Sequence, residues 1–146
     1  MEKLYKSPVI FNEEAHTYEL IDGDKGCWLS GVTPIIGWLF PETYKGIPEN
    51  ILNQAAAYGS LIHQKIQLYD TFGIDDDPII HAYAEIKEQT GAETRANEYL
   101  VSDEKRIASS IDLLMEGNDI WDAKTTSKVH IPNVTMQLSI YAWLFE

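Results

Sequence analysis

Three ionisable residues in one short stretch have the types and spacing to do chemistry together. Asp112, Asp122 and Lys124 lie in SSIDLLMEGNDIWDAKTT, residues 109–126, where they interrupt apolar, strand-like runs. Ionised groups inside strands are costly unless something pairs with them. Two carboxylates beside a lysine suit a hard divalent cation, because Mg2+ takes one or two protein carboxylates and leaves its other positions to water and substrate phosphate. Water on such a cation loses a proton more easily, and an adjacent lysine can orient it and help deprotonate it. The product is hydroxide placed against a phosphodiester. The spacing alone also allows a plainer arrangement, an Asp122–Lys124 salt bridge on a sheet surface with Asp112 in a turn, since Asp-x-Lys is a cheap pattern.

The metal reading requires the three side chains on one face. In a strand, residues two apart share a face, so Asp122 and Lys124 point one way while Trp121 and Ala123 point the other. Asp112 sits on the preceding strand of a hairpin, and the loop decides where it faces. A two-residue loop at Gly117-Asn118 sets Asp112 opposite Ala123, on the wrong side. A three-residue loop shifts every side chain to the other face. With loop residues 117–119 Asp112 falls opposite Lys124, and with loop residues 116–118 it falls opposite Asp122. Three-residue hairpins use a left-handed position that Gly or Asn accepts. The expected register is therefore an odd loop or a bulge.

The elements around this hairpin are legible from pattern. PVIFNEEAHTYEL, a GDKG turn and CWLSGV read as short paired strands. Thr33 is an expected N-cap, with Pro34 at the first helical position. A long helix is expected over residues 48–71, with Ile51, Ala55, Leu61, Ile62, Ile66 and Leu68 at near-helical spacing. Gly59 lies inside it, where glycine often marks close packing or a ligand's approach, and His63 lies one turn later on the same side. Asp77-Pro78 opens another helix. The acids at Asp75, Asp76 and Asp77 read as a loop and N-cap rather than a calcium loop. TRANEYLVSD reads as a strand, on which Glu98 could face the site. NVTMQLSIYAWLFE reads as a closing apolar helix. His16 and Tyr18 are expected to be hairpin structure, and Trp28, Trp38, Trp121 and Trp143 core.

The 146 residues suit a single domain, and 45% apolar with 23% charged residues is a globular balance. The closing helix stops in mid-pattern, without glycine, polar cap or basic last turn, so the chain is expected to be the N-terminal part of something longer. No apolar run reaches the roughly 20 residues that span a bilayer. One cysteine, Cys27, excludes an internal disulfide and any four-cysteine cluster. A soluble, cytoplasmic protein with no membrane partner follows. The net charge of −12 repels phosphates, so a nucleic-acid function needs locally concentrated Lys and Arg, bridging metal ions or further sequence.

Together, IDLLMEGNDIWDAKTT and QLSIYAWL resemble the PD-(D/E)xK nuclease superfamily, and within it the RecB-like, phage-type exonuclease branch. Asp112, Asp122, Lys124, Gln137 and Tyr141 stand in the motif positions, and Gly59 and His63 in YGSLIHQKI match the upstream Gly-x-x-x-His. HTYELIDGDKGCWLSGVTPII is similar to the hairpin that opens many phage-encoded members. The first motif reads Ile-Asp rather than Pro-Asp, and the second acid is Asp rather than Glu. The resemblance implies an α/β, restriction-endonuclease-like core: a mixed central sheet of four or five strands flanked by helices. It implies Mg2+ or Mn2+ held by His63, Asp112, Asp122 and the backbone carbonyl of Ala123. It further implies that Lys124 positions and activates water, and that Gln137 and Tyr141 serve the lysine's surroundings or the DNA backbone. The implied activity is metal-dependent DNA hydrolysis, more exonuclease than endonuclease, in recombination and repair in a bacterial or phage-infected cell. DNA is the implied partner, with a homo-oligomer or a recombination protein as a further one. A nuclease-fold protein that binds or assembles without cutting, and a metal-dependent phosphatase, are the competing functions.

Overall fold

The structure, a computed structural model, describes residues 8–146. Along the chain come β1 (Val9–Asn12), β2 (Thr17–Asp22), β3 (Lys25–Leu29), α1 (Val32–Leu39), α2 (Glu49–Phe72), α3 (Pro78–Thr90), β4 (Thr94–Ser102), β5 (Ala108–Met115), β6 (Ile120–Trp121) and α4 (Ile131–Phe145). The α/β class holds. The expected single mixed sheet is instead two three-stranded sheets, ordered β1-β2-β3 and β4-β5-β6. The cause is local. After β3, Ser30 makes an isolated parallel bridge to Ile107, using hydrogen bonds of 2.8 Å to the Arg106 carbonyl and 3.0 Å from the Ala108 N–H. The chain enters α1 two residues later, which ends the parallel ladder. Among the described residues, no helix is long and apolar enough to cross a membrane.

The chain forms two compact units, one from residues 8–43, Glu98–Ile111 and His130–Glu146, the other from Tyr44–Asn97 and Asp112–Val129. In the first, Val9, Tyr18, Leu29 and Ala108 are buried together, with Phe11, Leu20 and Leu100 against them. Phe11 stacks on Tyr18 with ring centres 4.7 Å apart, and His16 meets Phe11 edge-on. His16 and Tyr18 are thus hairpin structure, as expected. Helix α1 starts at Val32 with Gly31 as its N-cap, so Thr33 is not the cap. Pro34 still falls in the first turn, where a missing N–H costs nothing.

The second unit is built on α2 and α3. Ile62, Ile66, Ile80, Tyr83, Leu113 and Met115 form its core, and Tyr69, Ala92, Trp121 and Ala123 pack against it. Asp77 caps α3 as expected, its carboxylate accepting the Ile79 N–H at 2.9 Å. Not every apolar side chain is covered, and the expectation that all four tryptophans are core fails. Of the apolar residues of α2, Ile51, Leu61 and Leu68 are exposed, and only Ile62 and Ile66 are buried. Trp28, Trp38 and Trp143 are also exposed, leaving Trp121 as the tryptophan packed on a core. Helical spacing identifies an apolar stripe but not whether anything covers it.

Candidate metal centre

The hairpin loop takes one of the two odd registers. Leu113 pairs with Trp121 and Leu114 with Ile120, and the Met115 N–H reaches the Asp119 carbonyl at 2.9 Å. Glu116, Gly117 and Asn118 are therefore the loop, and Gly117 (φ 86°) and Asn118 (φ 69°) are both left-handed. A side chain other than Gly or Asn is strained at such a φ. Carried one step further, this register sets Asp112 opposite Asp122. Strand β6 ends at Trp121, however, so Asp122 and Lys124 lie in irregular chain just beyond it rather than inside a strand. Trp121 and Ala123 both pack on the core, as residues two apart on one strand face do.

The peptide of Ala123 is the hub of the site. Its N–H donates to Asp112 Oδ2 at 3.1 Å, and its carbonyl lies 3.0 Å from His63 Nε2. His63 Nε2 is in turn 3.4 Å from Asp112 Oδ2. An imidazole nitrogen, a carboxylate oxygen and a carbonyl oxygen thus converge, with His63 and Asp112 side chains 28% and 13% exposed. Ligands about 2.1 Å from one cation and at right angles to each other are about 3.0 Å apart, and the two separations measured from His63 Nε2, 3.0 and 3.4 Å, are close to that spacing.

Asp122 and Lys124 form their own pair. Lys124 Nζ lies 2.8 Å from Asp122 Oδ2 and 3.1 Å from Oδ1, and the Asp122 side chain is only 2% exposed. The Asp122 carboxylate does not join the ligand atoms gathered within 4.8 Å of one another around His63 and Asp112. The salt bridge and the metal geometry are therefore both present, divided between different residues. In the first unit, Gln137 Nε2 donates to the Tyr141 hydroxyl at 2.8 Å, and Ser109 Oγ approaches the same oxygen at 3.4 Å. Gly59 is less crowded than expected: an added Cβ would meet only Thr125 Oγ1, at an ordinary 3.6 Å.

A further polar cluster, which no sequence motif marks, joins α2, α3 and β4. Asp70 on α2 has a side chain 2% exposed and receives Lys87 Nζ at 2.6 Å, the Tyr83 hydroxyl at 2.9 Å and Asn97 Nδ2 at 2.8 Å. Burial pushes the Tyr83 phenol well above its usual range, against the opposing Thr94 hydrogen bond, and the Asp70 charge pushes it further. The signal was available. Ile62, Ile66 and Asp70 follow one helical stripe, Ile80, Tyr83 and Lys87 another, and opposite charges on two inward stripes must meet or be costly. No protein-family model, curated protein or solved structure matches the chain.

Proposed function

We propose that the chain is a divalent-metal-dependent deoxyribonuclease that degrades linear DNA as an exonuclease on a restriction-endonuclease-like core. The observation that carries this is the approach of His63 Nε2 to both the Ala123 carbonyl, at 3.0 Å, and Asp112 Oδ2, at 3.4 Å. These residues would hold Mg2+ or Mn2+, ions suited to carboxylate and carbonyl oxygens. When bound, the ion supplies charge neutralisation at a phosphate and a more acidic water. Asp122 fixes the Lys124 ammonium, which can steady a water or a phosphate oxygen by donating hydrogen bonds. Gln137 and Tyr141, bonded to each other on one face of α4, are proposed to support the DNA backbone.

The test is digestion of end-labelled linear DNA with Mn2+ or Mg2+. The wild-type chain should release nucleotides only with metal, and His63→Ala and Asp112→Asn should abolish release. Cleavage that survives both substitutions would sink the assignment. The net charge of −12 favours a second reading, a nuclease-fold binding or assembly module that does not cut. It predicts no digestion at any Mn2+ concentration by a folded protein.

A further inference from the structure

Helix α2 carries a second surface that the metal centre does not use. Asn53, Ala57, Ser60, Gln64, Gln67 and Thr71 recur at spacings of four and three, so they form one stripe along the helix, and all six are exposed. None is ionisable, on a chain with 23 acidic and 11 basic residues. Asp70 points into the unit, with a side chain 2% exposed, and Lys65 is tied to Asp76 and Asp77 at 3.2 Å. The stripe borders the metal centre: Ser60 and Gln67 are the i−3 and i+4 neighbours of His63, on its side of the helix.

We infer that this stripe is the track along which one strand of DNA reaches the metal centre, an inference that rests on the nuclease reading. The electrostatic argument is one of avoidance. A phosphate backbone is repelled by a surface of charge −12, and the track lets it approach His63 along a row without carboxylates. Asn, Gln, Ser and Thr side chains donate hydrogen bonds to phosphate and sugar oxygens without reading sequence, as a nuclease indifferent to sequence requires. From Asn53 to Thr71 the helix rises about 27 Å, enough for roughly eight nucleotides at about 3.4 Å each. Because the contacts are uncharged, few counterions are released on binding, and affinity should depend weakly on salt.

The experiment measures binding of a fluorescein-labelled 20-nucleotide strand by anisotropy, in Ca2+ to suppress cleavage, for wild type, Ser60→Glu/Gln67→Glu and Ile51→Glu/Tyr58→Glu. The last pair adds the same charge at exposed positions on another face of α2. The stripe variant should weaken binding by about tenfold or more, the control by less than about twofold, and the wild-type log–log salt slope should be about −2 or shallower. Mn2+ affinity, followed by calorimetry, should not fall in either variant, which separates loss of the track from loss of the metal centre. Equal weakening by both variants, or a steep salt slope, overturns the track. Normal binding by the stripe variant alongside metal-dependent cleavage overturns the track and leaves the nuclease reading standing. A wild type that binds Mn2+ but neither binds nor cuts DNA overturns both.

Discussion

At the scale of single residues, His63 has one nitrogen, Nε2, facing both the Ala123 carbonyl and Asp112. A proton there makes the observed hydrogen bond, and a cation must displace it. Asp112→Asn keeps the shape but removes the charge, and calorimetry should show Mn2+ affinity falling by at least about tenfold. Lys124 is harder to probe, because its ammonium also balances the buried Asp122 carboxylate. Lys124→Ala therefore mixes chemistry with the loss of a partly buried ion pair. Lys124→Arg keeps the pairing. If an ammonium at that point is needed, it should melt near the wild-type temperature while its cleavage rate drops by a factor of ten or more, on the order of 1.4 kcal/mol in barrier. Wild-type cleavage by Lys124→Arg would leave Lys124 with the salt bridge alone.

At the scale of elements, α2 and α3 are held together by apolar stripes that each end in a charge. Replacing Lys87 by Met strands Asp70 among Tyr83 and Asn97, and denaturant melts should show a loss of about 3–5 kcal/mol. The double change Asp70→Leu/Lys87→Met should recover most of it. Gly59→Ala should do the opposite and raise stability by up to about 1 kcal/mol, since the new methyl meets only Thr125 Oγ1 at 3.6 Å. Loss of activity without loss of stability would show that a ligand uses that gap. The α3 cap and the span of α2 are legible because capping and helical pattern are local, whereas turn chemistry leaves three hairpin registers open and only the metal reading chooses an odd one. The Asp70–Lys87 pair was missed because pairing between helices depends on which stripes face each other. Hydrophobicity alone puts the three exposed tryptophans in the core, because it says nothing about what covers a residue. His63 was placed beside Asp112 through family resemblance, not through spacing.

At the scale of the whole molecule, charge sets the response to pH. The Asp75 hydrogen bond and charge raise the His81 pKa, with Glu85 helping, and so tie the Asp75–Asp77 loop to α3. A raised histidine stabilises the fold below its unfolded value of about 6.5, and that contribution disappears as pH rises through the higher folded value. An NMR titration should place His81 above a free histidine, and Asp75→Asn should bring it back. On the acid side, the Ile79 N–H and Lys65 hold Asp77 low. Burial of Asp103 works upward, but the N–H groups of Ile107, Arg106 and Lys105 outweigh it. Both contribute stability above about pH 3.9, lost as pH falls through their lowered values. The molecule should therefore be most stable between those two windows.

Surface turns ordinarily absorb gained or lost residues with little consequence. The Glu116–Asn118 turn should not, because its length has a parity. One residue added beside Asn118 can leave a well-formed hairpin while rotating Asp112 to the side of Ala123. Insertional scanning should then find a position that is permissive for expression and melting yet silent for metal uptake, with a second added residue bringing uptake partly back.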